Sequence, residues 1–174
     1  MKKLILVSLV LLSVTFAIAQ RPDMSAQCKE AMKKLAYFVG DWQGTATVQS
    51  PQGPMTLQQT EHIQWQMDGL LLQIEGIGRQ NDQIKFHAMA IVNFDPTDQQ
   101  FKFKSFVKEG FSTNAYFKEL KPNQFEWGFD VPSGGKTRYV ITLDDQKGTW
   151  HETGEYSRDG NTWMRFIEMN LTKG

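Results

Sequence analysis

The chain has 174 residues, and its 19 basic and 19 acidic residues give a formal net charge of zero. This length indicates one domain, and the neutral balance excludes the strongly basic class of proteins that bind nucleic acid through charge. We therefore predict no nucleic-acid partner. The single cysteine, Cys28, excludes an internal disulfide. Cys28 is either an ordinary thiol or the site of a bond to a second chain.

The first 19 residues have the pattern of a secretory signal peptide. Two lysines precede an apolar run at residues 4–18, and Ala17-Ile18-Ala19 supplies the small residues that precede a cleavage site. We predict cleavage before Gln20, export to the periplasm or the exterior of a bacterial cell, and no membrane span in the mature chain. A retained membrane anchor is the alternative, but the run is shorter than the roughly 20 residues that a span needs.

A short helix is predicted at residues 26–37, after a polar leader that begins at Gln20. Ala31, Leu35 and Phe38 recur at helical spacing and would share one apolar face. We expect this face to lie against or across one end of the domain that follows.

From Asp41 onward, apolar residues recur at every second position, which is the period of β-strands. The pattern is clearest where Phe125, Trp127 and Phe129 alternate with polar residues. Turn residues separate the segments, and Asp68-Gly69 is typical of a hairpin. The pattern predicts about ten strands, at residues 41–49, 55–67, 70–79, 84–94, 101–107, 111–120, 124–131, 137–143, 149–156 and 162–172.

Short strands joined by short turns, without a helix long enough for a crossover, indicate an all-β fold. An up-and-down order favours a closed barrel, because closure removes exposed strand edges. The predicted fold class is therefore an all-β, antiparallel, up-and-down β-barrel of about ten strands with a short N-terminal helix. The predicted organisation is a signal peptide at residues 1–19, a leader and helix at 20–37, and a barrel domain at 38–174.

The start of the first strand, Gly40-Asp41-Trp42, resembles the Gly-x-Trp motif of the calycin superfamily, which comprises lipocalins, fatty-acid-binding proteins and bacterial relatives. Residues 40–54, with the Asp68-Gly69 hairpin, are similar to small bacterial calycin-like proteins of unknown function. The resemblance implies a lipocalin-like barrel with Trp42 packed at its closed end. In that superfamily a basic residue of the last strand commonly lies across this tryptophan, and Arg165 is the candidate. Gly40 and Gly44 are expected to be structural, letting the first strand bend and approach its neighbours closely.

Two charged residues fall on strand faces that are otherwise apolar. Glu61 alternates with Ile63 and Trp65, and Arg165 alternates with Ile167. Polar groups that converge inside an apolar barrel are typical of a ligand pocket, although the two residues could instead form a salt bridge there, or Arg165 could stack on a tryptophan. The expected apolar wall is Phe86, Phe101, Phe103, Phe125, Trp127 and Phe129. The predicted ligand-binding set is Glu61, Trp65, Phe86, Phe103, Trp127 and Arg165.

These observations favour a non-enzymatic protein that binds a small hydrophobic or amphipathic molecule inside the barrel, with no catalytic residue, no metal and no cofactor. The sequence has no Gly-x-Ser-x-Gly and no His-Glu-x-x-His motif. One alternative is a haem-binding or nitric-oxide-handling enzyme similar to nitrobindin, which requires an inward histidine. His62 and His87 are expected to face solvent, and the side of His151 is ambiguous, so His151 would be the haem ligand. The other alternative is a structural protein of the cell envelope.

Overall fold

The computed structural model describes residues 22–174, and the predicted signal peptide at residues 1–19 lies outside this range. An α-helix, α1 (Ser25–Met32), continues into a 3₁₀ helix (Lys33–Phe38). None of the helices in the described range is both long enough and apolar enough to cross a membrane. The strands are β1 (Gly40–Ser50), β2 (Gly53–Gln66), β3 (Leu71–Gln80), β4 (Gln83–Asp95), β5 (Gln100–Val107), β6 (Ser112–Lys121), β7 (Gln124–Asp130), β8 (Lys136–Asp144), β9 (Thr149–Ser157) and β10 (Met164–Lys173).

The ten strands form one closed antiparallel barrel, which confirms the predicted fold class. Each strand pairs with its neighbours in sequence, and β1 pairs with β10 to close the ring. Asp68-Gly69 belongs to a short 3₁₀ turn, Met67–Gly69, between β2 and β3. Since every strand of the barrel is paired on both sides, the barrel presents no open edge.

The short N-terminal helix predicted at residues 26–37 is present, and its second half tightens into the 3₁₀ form. In a 3₁₀ helix, residues three apart eclipse each other. Leu35 and Phe38 therefore point the same way, and both are buried in the core. Cys28 is also buried, on α1. The change of helix type thus directs two large apolar side chains into one end of the barrel.

That end of the barrel is closed by a cluster of aromatic rings. Phe38 packs with its ring centroid 5.1 Å from those of Phe125 and Trp150. Trp42 lies 5.6 Å from Trp150 in an edge-on arrangement. The Trp42 indole Nε1 donates a 2.7 Å hydrogen bond to the carbonyl oxygen of Phe38. We call Phe38, Trp42, Phe125 and Trp150 the aromatic floor. Because the Trp42 indole nitrogen is satisfied by this bond, the burial of Trp42 leaves no unpaired hydrogen-bonding group.

A lysine of the last strand lies across Trp42. The pairing of β1 with β10 places Lys173 opposite Trp42. The Lys173 Nζ lies 5.1 Å from the Trp42 ring centroid and 4.5 Å from that of Tyr37. The same ammonium donates a 2.9 Å hydrogen bond to the Tyr37 carbonyl oxygen. Lys173 therefore combines cation–π contacts with a hydrogen bond beneath the floor.

The expectation that Arg165 faces inward and lies across Trp42 is wrong. The Arg165 side chain is 53% exposed on the outer surface, where its Nη1 pairs with Glu168 at 3.3 Å. A β-bulge is the cause: Arg165 pairs with Glu155, whereas Ile167 pairs with the adjacent Gly154. The extra residue reverses the alternation of β10 at this point. A salt bridge between Glu61 and Arg165 inside the barrel is excluded for the same reason.

Close approach of β1 to β10 depends on glycine. A Cβ atom at Gly44 would lie 2.1 Å from the carbonyl oxygen of Asn170, which no side chain tolerates. Gly40, where β1 begins, has a φ of 129°, a conformation that L-residues rarely adopt. Both glycines therefore serve the geometry of the closing strand.

Replacing Trp42 by alanine should destabilise the protein by about 3–5 kcal/mol, because the change removes a large buried ring and leaves a cavity. Equilibrium unfolding in urea measures this. Phe111→Ala is the matched control, since Phe111 is 73% exposed, and it should change the free energy of unfolding by about 0.5 kcal/mol or less. Equal losses in the two variants would contradict the assignment of Trp42 to the floor.

Candidate ligand-binding cavity

The barrel interior contains a cavity of about 440 Å³ above the aromatic floor. Its mouth is at the opposite end, where Phe86 lines the cavity and is 41% exposed. Most of the lining is apolar, and all ten strands contribute to it. The polar or charged lining residues are few: Gln59, Glu61, Lys85, Ser105, Thr113 and Glu152.

One side of the cavity is a stack of aromatic rings. Trp127 lies flat against Tyr139, with centroids 3.8 Å apart and an interplanar angle of 2°. On its other side Phe103 stacks at 4.8 Å. Gly154 faces Tyr139 across the β8–β9 pair, and a Cβ atom there would lie 2.7 Å from the Tyr139 ring. We call Phe103, Trp127 and Tyr139 the aromatic wall; the missing side chain at Gly154 makes room for it.

Two carboxyl groups and an amide form the polar part of the cavity. On β2, the Gln59 Nε2 donates a 2.7 Å hydrogen bond to Oε1 of Glu61. On β9, Glu152 accepts from two indoles, Trp127 Nε1 at 3.0 Å and Trp150 Nε1 at 3.1 Å. Glu152 thus connects the aromatic wall with the floor, whereas Glu61 is held by a single neighbouring side chain.

Glycines on β3 make space for the carboxyl and amide of β2. Gly76 is paired with Glu61, and a Cβ atom at Gly76 would lie 2.7 Å from both carboxyl oxygens. Gly78 is paired with Gln59, and a Cβ atom there would lie 2.8 Å from the amide oxygen. These polar side chains therefore occupy a recess that any larger residue on β3 would fill.

Burial favours the protonated form of both carboxyls. Burial raises the pKa of Glu61 to about 8; the Gln59 hydrogen bond opposes this change and the nearby Glu152 adds to it. Burial also raises the pKa of Glu152 to about 7, against the two indole hydrogen bonds. Tyr139 also has a raised pKa, first through burial and then through the charge of Glu152. A low-dielectric interior disfavours the charged form of a carboxyl, so both glutamates change charge near neutral pH.

The predicted ligand-binding residues divide into three groups. Glu61, Phe86, Phe103 and Trp127 line the cavity. Trp65 packs against the core without lining the cavity, and Arg165 lies on the outside. In the expected apolar wall, Phe129 also lines the cavity, whereas Phe101 and Phe125 pack in the core around it.

The predicted site did not include three residues that build the polar part and the aromatic wall of the cavity: Gln59, Tyr139 and Glu152. On β9 the inward series is Trp150, Glu152 and Gly154, which combines an apolar ring, a charge and no side chain. The apolar alternation is therefore weak in this strand. Simple alternation along β9 would have placed Glu152 on the same face as Trp150, because residues two apart in a strand share a face.

All three histidines lie within the described residues and face outward. His62 contacts Asp41 at 2.6 Å, His87 contacts Glu75 at 2.9 Å, and His151 contacts Glu168 at 3.1 Å. None of them lines the cavity. The ambiguous position of His151 is thus resolved to the outer face, and no histidine is placed to ligate a haem iron inside the barrel.

The fold is similar to that of solved structures, among them the crystal structure of Rv2717c from M. tuberculosis. The TM-score is 0.61 with 10% sequence identity, over 83% of this chain and 97% of that chain. At this identity the likeness concerns the fold alone. No protein-family model and no curated protein matches the chain. The comparison therefore bears on the barrel fold and not on membership of a family.

The two raised carboxyl pKa values predict that the protein loses stability as the pH rises. Between about pH 5 and pH 8 the unfolded chain releases protons that folded Glu61 and Glu152 retain, so the free energy of unfolding falls over this range. Glu61→Gln should reduce this fall in the free energy of unfolding by a few kcal/mol at most, since one pKa unit corresponds to about 1.4 kcal/mol. Urea unfolding at a series of pH values measures the effect.

The control for this experiment is Glu168→Gln on the outer surface. The His151 hydrogen bond lowers the pKa of Glu168, so that carboxyl stabilises the protein above its ordinary pKa and loses this effect only in acid. Its variant should keep the fall between about pH 5 and pH 8. Parallel profiles for the wild type and Glu61→Gln would show that Glu61 titrates normally.

Proposed function

We propose that this protein is an exported calycin-like carrier that binds a small apolar or amphipathic molecule in its barrel cavity. The observation that carries the proposal is the cavity of about 440 Å³. Ligand pockets commonly have volumes of about 300–1,000 Å³ and an apolar lining with a few placed polar groups. The aromatic wall and the Gln59–Glu61 pair provide both parts of that description.

The construction of the cavity supports binding of a ligand rather than packing of the protein alone. Small residues on β4, Ala88 and Ala90, line the cavity where larger apolar residues would fill it. Gly76, Gly78 and Gly154 withhold side chains beside the polar recess and the aromatic wall. Protein interiors are close-packed, with few voids larger than a water molecule. A void of this size with one open end therefore suits an occupant.

The haem-dependent alternative requires an inward histidine, and the outward positions of His62, His87 and His151 remove its support. A binding protein needs no such ligand. The carrier is accordingly the function that we put forward, and its polar groups orient the bound molecule.

Filling the cavity should abolish binding of an apolar probe. Ala88→Trp places a large ring in the cavity, and we expect N-phenyl-1-naphthylamine, which fluoresces in apolar surroundings, to lose most of its signal relative to the wild type. Met89→Trp is the matched control, since Met89 is its neighbour on β4, lies outside the cavity lining and is 38% exposed. Circular dichroism verifies that both variants fold. Equal probe binding by the two variants would count against the cavity as the binding site.

Export is the part of the proposal that comes from residues 1–19. If the chain carries a cleaved signal peptide, protein recovered from the periplasm or culture medium should begin at Gln20. Edman sequencing or intact-mass measurement tests this, and Ala19→Arg, which removes the small residue at the cut, should leave unprocessed precursor. Full-length protein confined to the cytoplasm would contradict export.

A further inference from the structure

Acidic groups outnumber basic groups in the lining of the cavity. Two carboxyls, Glu61 and Glu152, face the interior, and each residue is only 8% exposed. The one basic residue of the lining is Lys85, which is exposed at the mouth and donates its Nζ to the side chain of Gln83. Within residues 22–174, neither buried carboxyl forms a salt bridge. The deep part of the cavity therefore has acidic groups without a basic counterpart.

The two carboxyls differ in whether one of their oxygens remains free to accept a hydrogen bond. Both oxygens of Glu152 accept hydrogen bonds, from the indoles of Trp127 and Trp150. Glu61 accepts through Oε1 from Gln59, and among the described residues its Oε2 has no hydrogen-bond partner. No buried side-chain oxygen or nitrogen in this part of the chain is left unsatisfied, so Oε2 reaches the cavity space. Glu61 is thus the carboxyl with an acceptor available to a ligand.

We propose that the molecule bound in the cavity is a lipophilic amine, whose ammonium group pairs with Glu61 while its apolar part packs on the aromatic wall. This inference rests on the proposed binding function and names its ligand class. The ammonium supplies the missing positive charge, and a buried carboxylate is stable only when it is paired.

The other classes of amphipathic ligand fit this cavity less well. A carboxylic acid would bring a third acidic group beside Glu61 and Glu152, and like charges in a buried site repel. A neutral alcohol or ether could accept a hydrogen bond from protonated Glu61, but it would not pair with the carboxylate form that Glu61 takes above about pH 8. The amine is the class whose charge the cavity complements.

Binding of an amine also displaces a proton. Below about pH 8 the carboxyl of Glu61 is protonated; on binding, the proton leaves the carboxyl for solvent and the ammonium N–H donates to the carboxylate. Affinity should therefore rise with pH up to about 8 and then level, until the amine itself deprotonates near pH 10. A neutral acceptor ligand would show the opposite slope. The other titratable groups that line the cavity are Glu152, Tyr139 and Lys85.

Three probes of equal chain length test the inference: decylamine, decanol and decanoate, each below its critical micelle concentration. Isothermal titration calorimetry measures their affinity for the wild type, Glu61→Gln and the surface control Glu168→Gln. At pH 8 we expect decylamine to bind wild type about 10–100-fold more tightly than decanol, the range for a hydrogen bond to a charged group. Glu61→Gln should remove most of this preference, and Glu168→Gln should retain it.

The pH series on wild-type protein is an independent measurement that needs no variant. At pH 6.5, heats measured in buffers of different ionisation enthalpy should give about one proton released for each amine bound. Equal affinities for decylamine and decanol, tighter binding of decanoate, or affinity that falls with rising pH would overturn the amine assignment. These outcomes leave the carrier function intact if decanol still binds. Loss of binding for all three probes and for the naphthylamine would instead defeat the carrier function.

Discussion

The pairing of β1 with β10 is the interaction on which the rest of the structure depends. It closes an antiparallel sheet into a barrel, and only a closed barrel encloses an interior. Gly44 permits the two strands to approach, and the same register brings Lys173 onto Trp42. Closure of the barrel and closure of its floor are therefore consequences of a single strand register. The cavity is the space that remains once both have formed.

Much of the fold could be predicted from alternation and turn residues, because period-2 patterns report directly on a half-buried strand. On β7 the alternation of Phe125, Trp127 and Phe129 placed those residues on the inner face correctly. The pattern failed on β10, where a bulge between Arg165 and Ile167 reverses the faces. A bulge adds one residue to a strand and has no distinctive amino-acid composition, so the alternation of apolar residues cannot locate it.

The candidate site was harder to predict than the barrel, since its informative residues break the pattern that identifies strands. Glu61 could be recognised as a charged residue on an otherwise apolar strand face. Glu152 could not, because Gly154 on the same face of its strand weakens the apolar alternation. The meaning of both glutamates depends on contacts between strands that lie far apart in sequence, such as Trp127 with Glu152. Sequence also could not show that Gly76 and Gly78 face the polar pair, because this follows from the β2–β3 register.

The helical segment that precedes the barrel has a further consequence for orientation. Lys29 of α1 pairs with Asp68 in the turn between β2 and β3, and Lys34 pairs with Glu119 near the end of β6. At the other terminus, Gly174 donates its backbone N–H to Asp41 at the start of β1. Both ends of the described chain thus meet at the floor. If the protein were attached through either end to a surface, a bead or a fused partner, the open end of the cavity would face away from the attachment point and towards solvent.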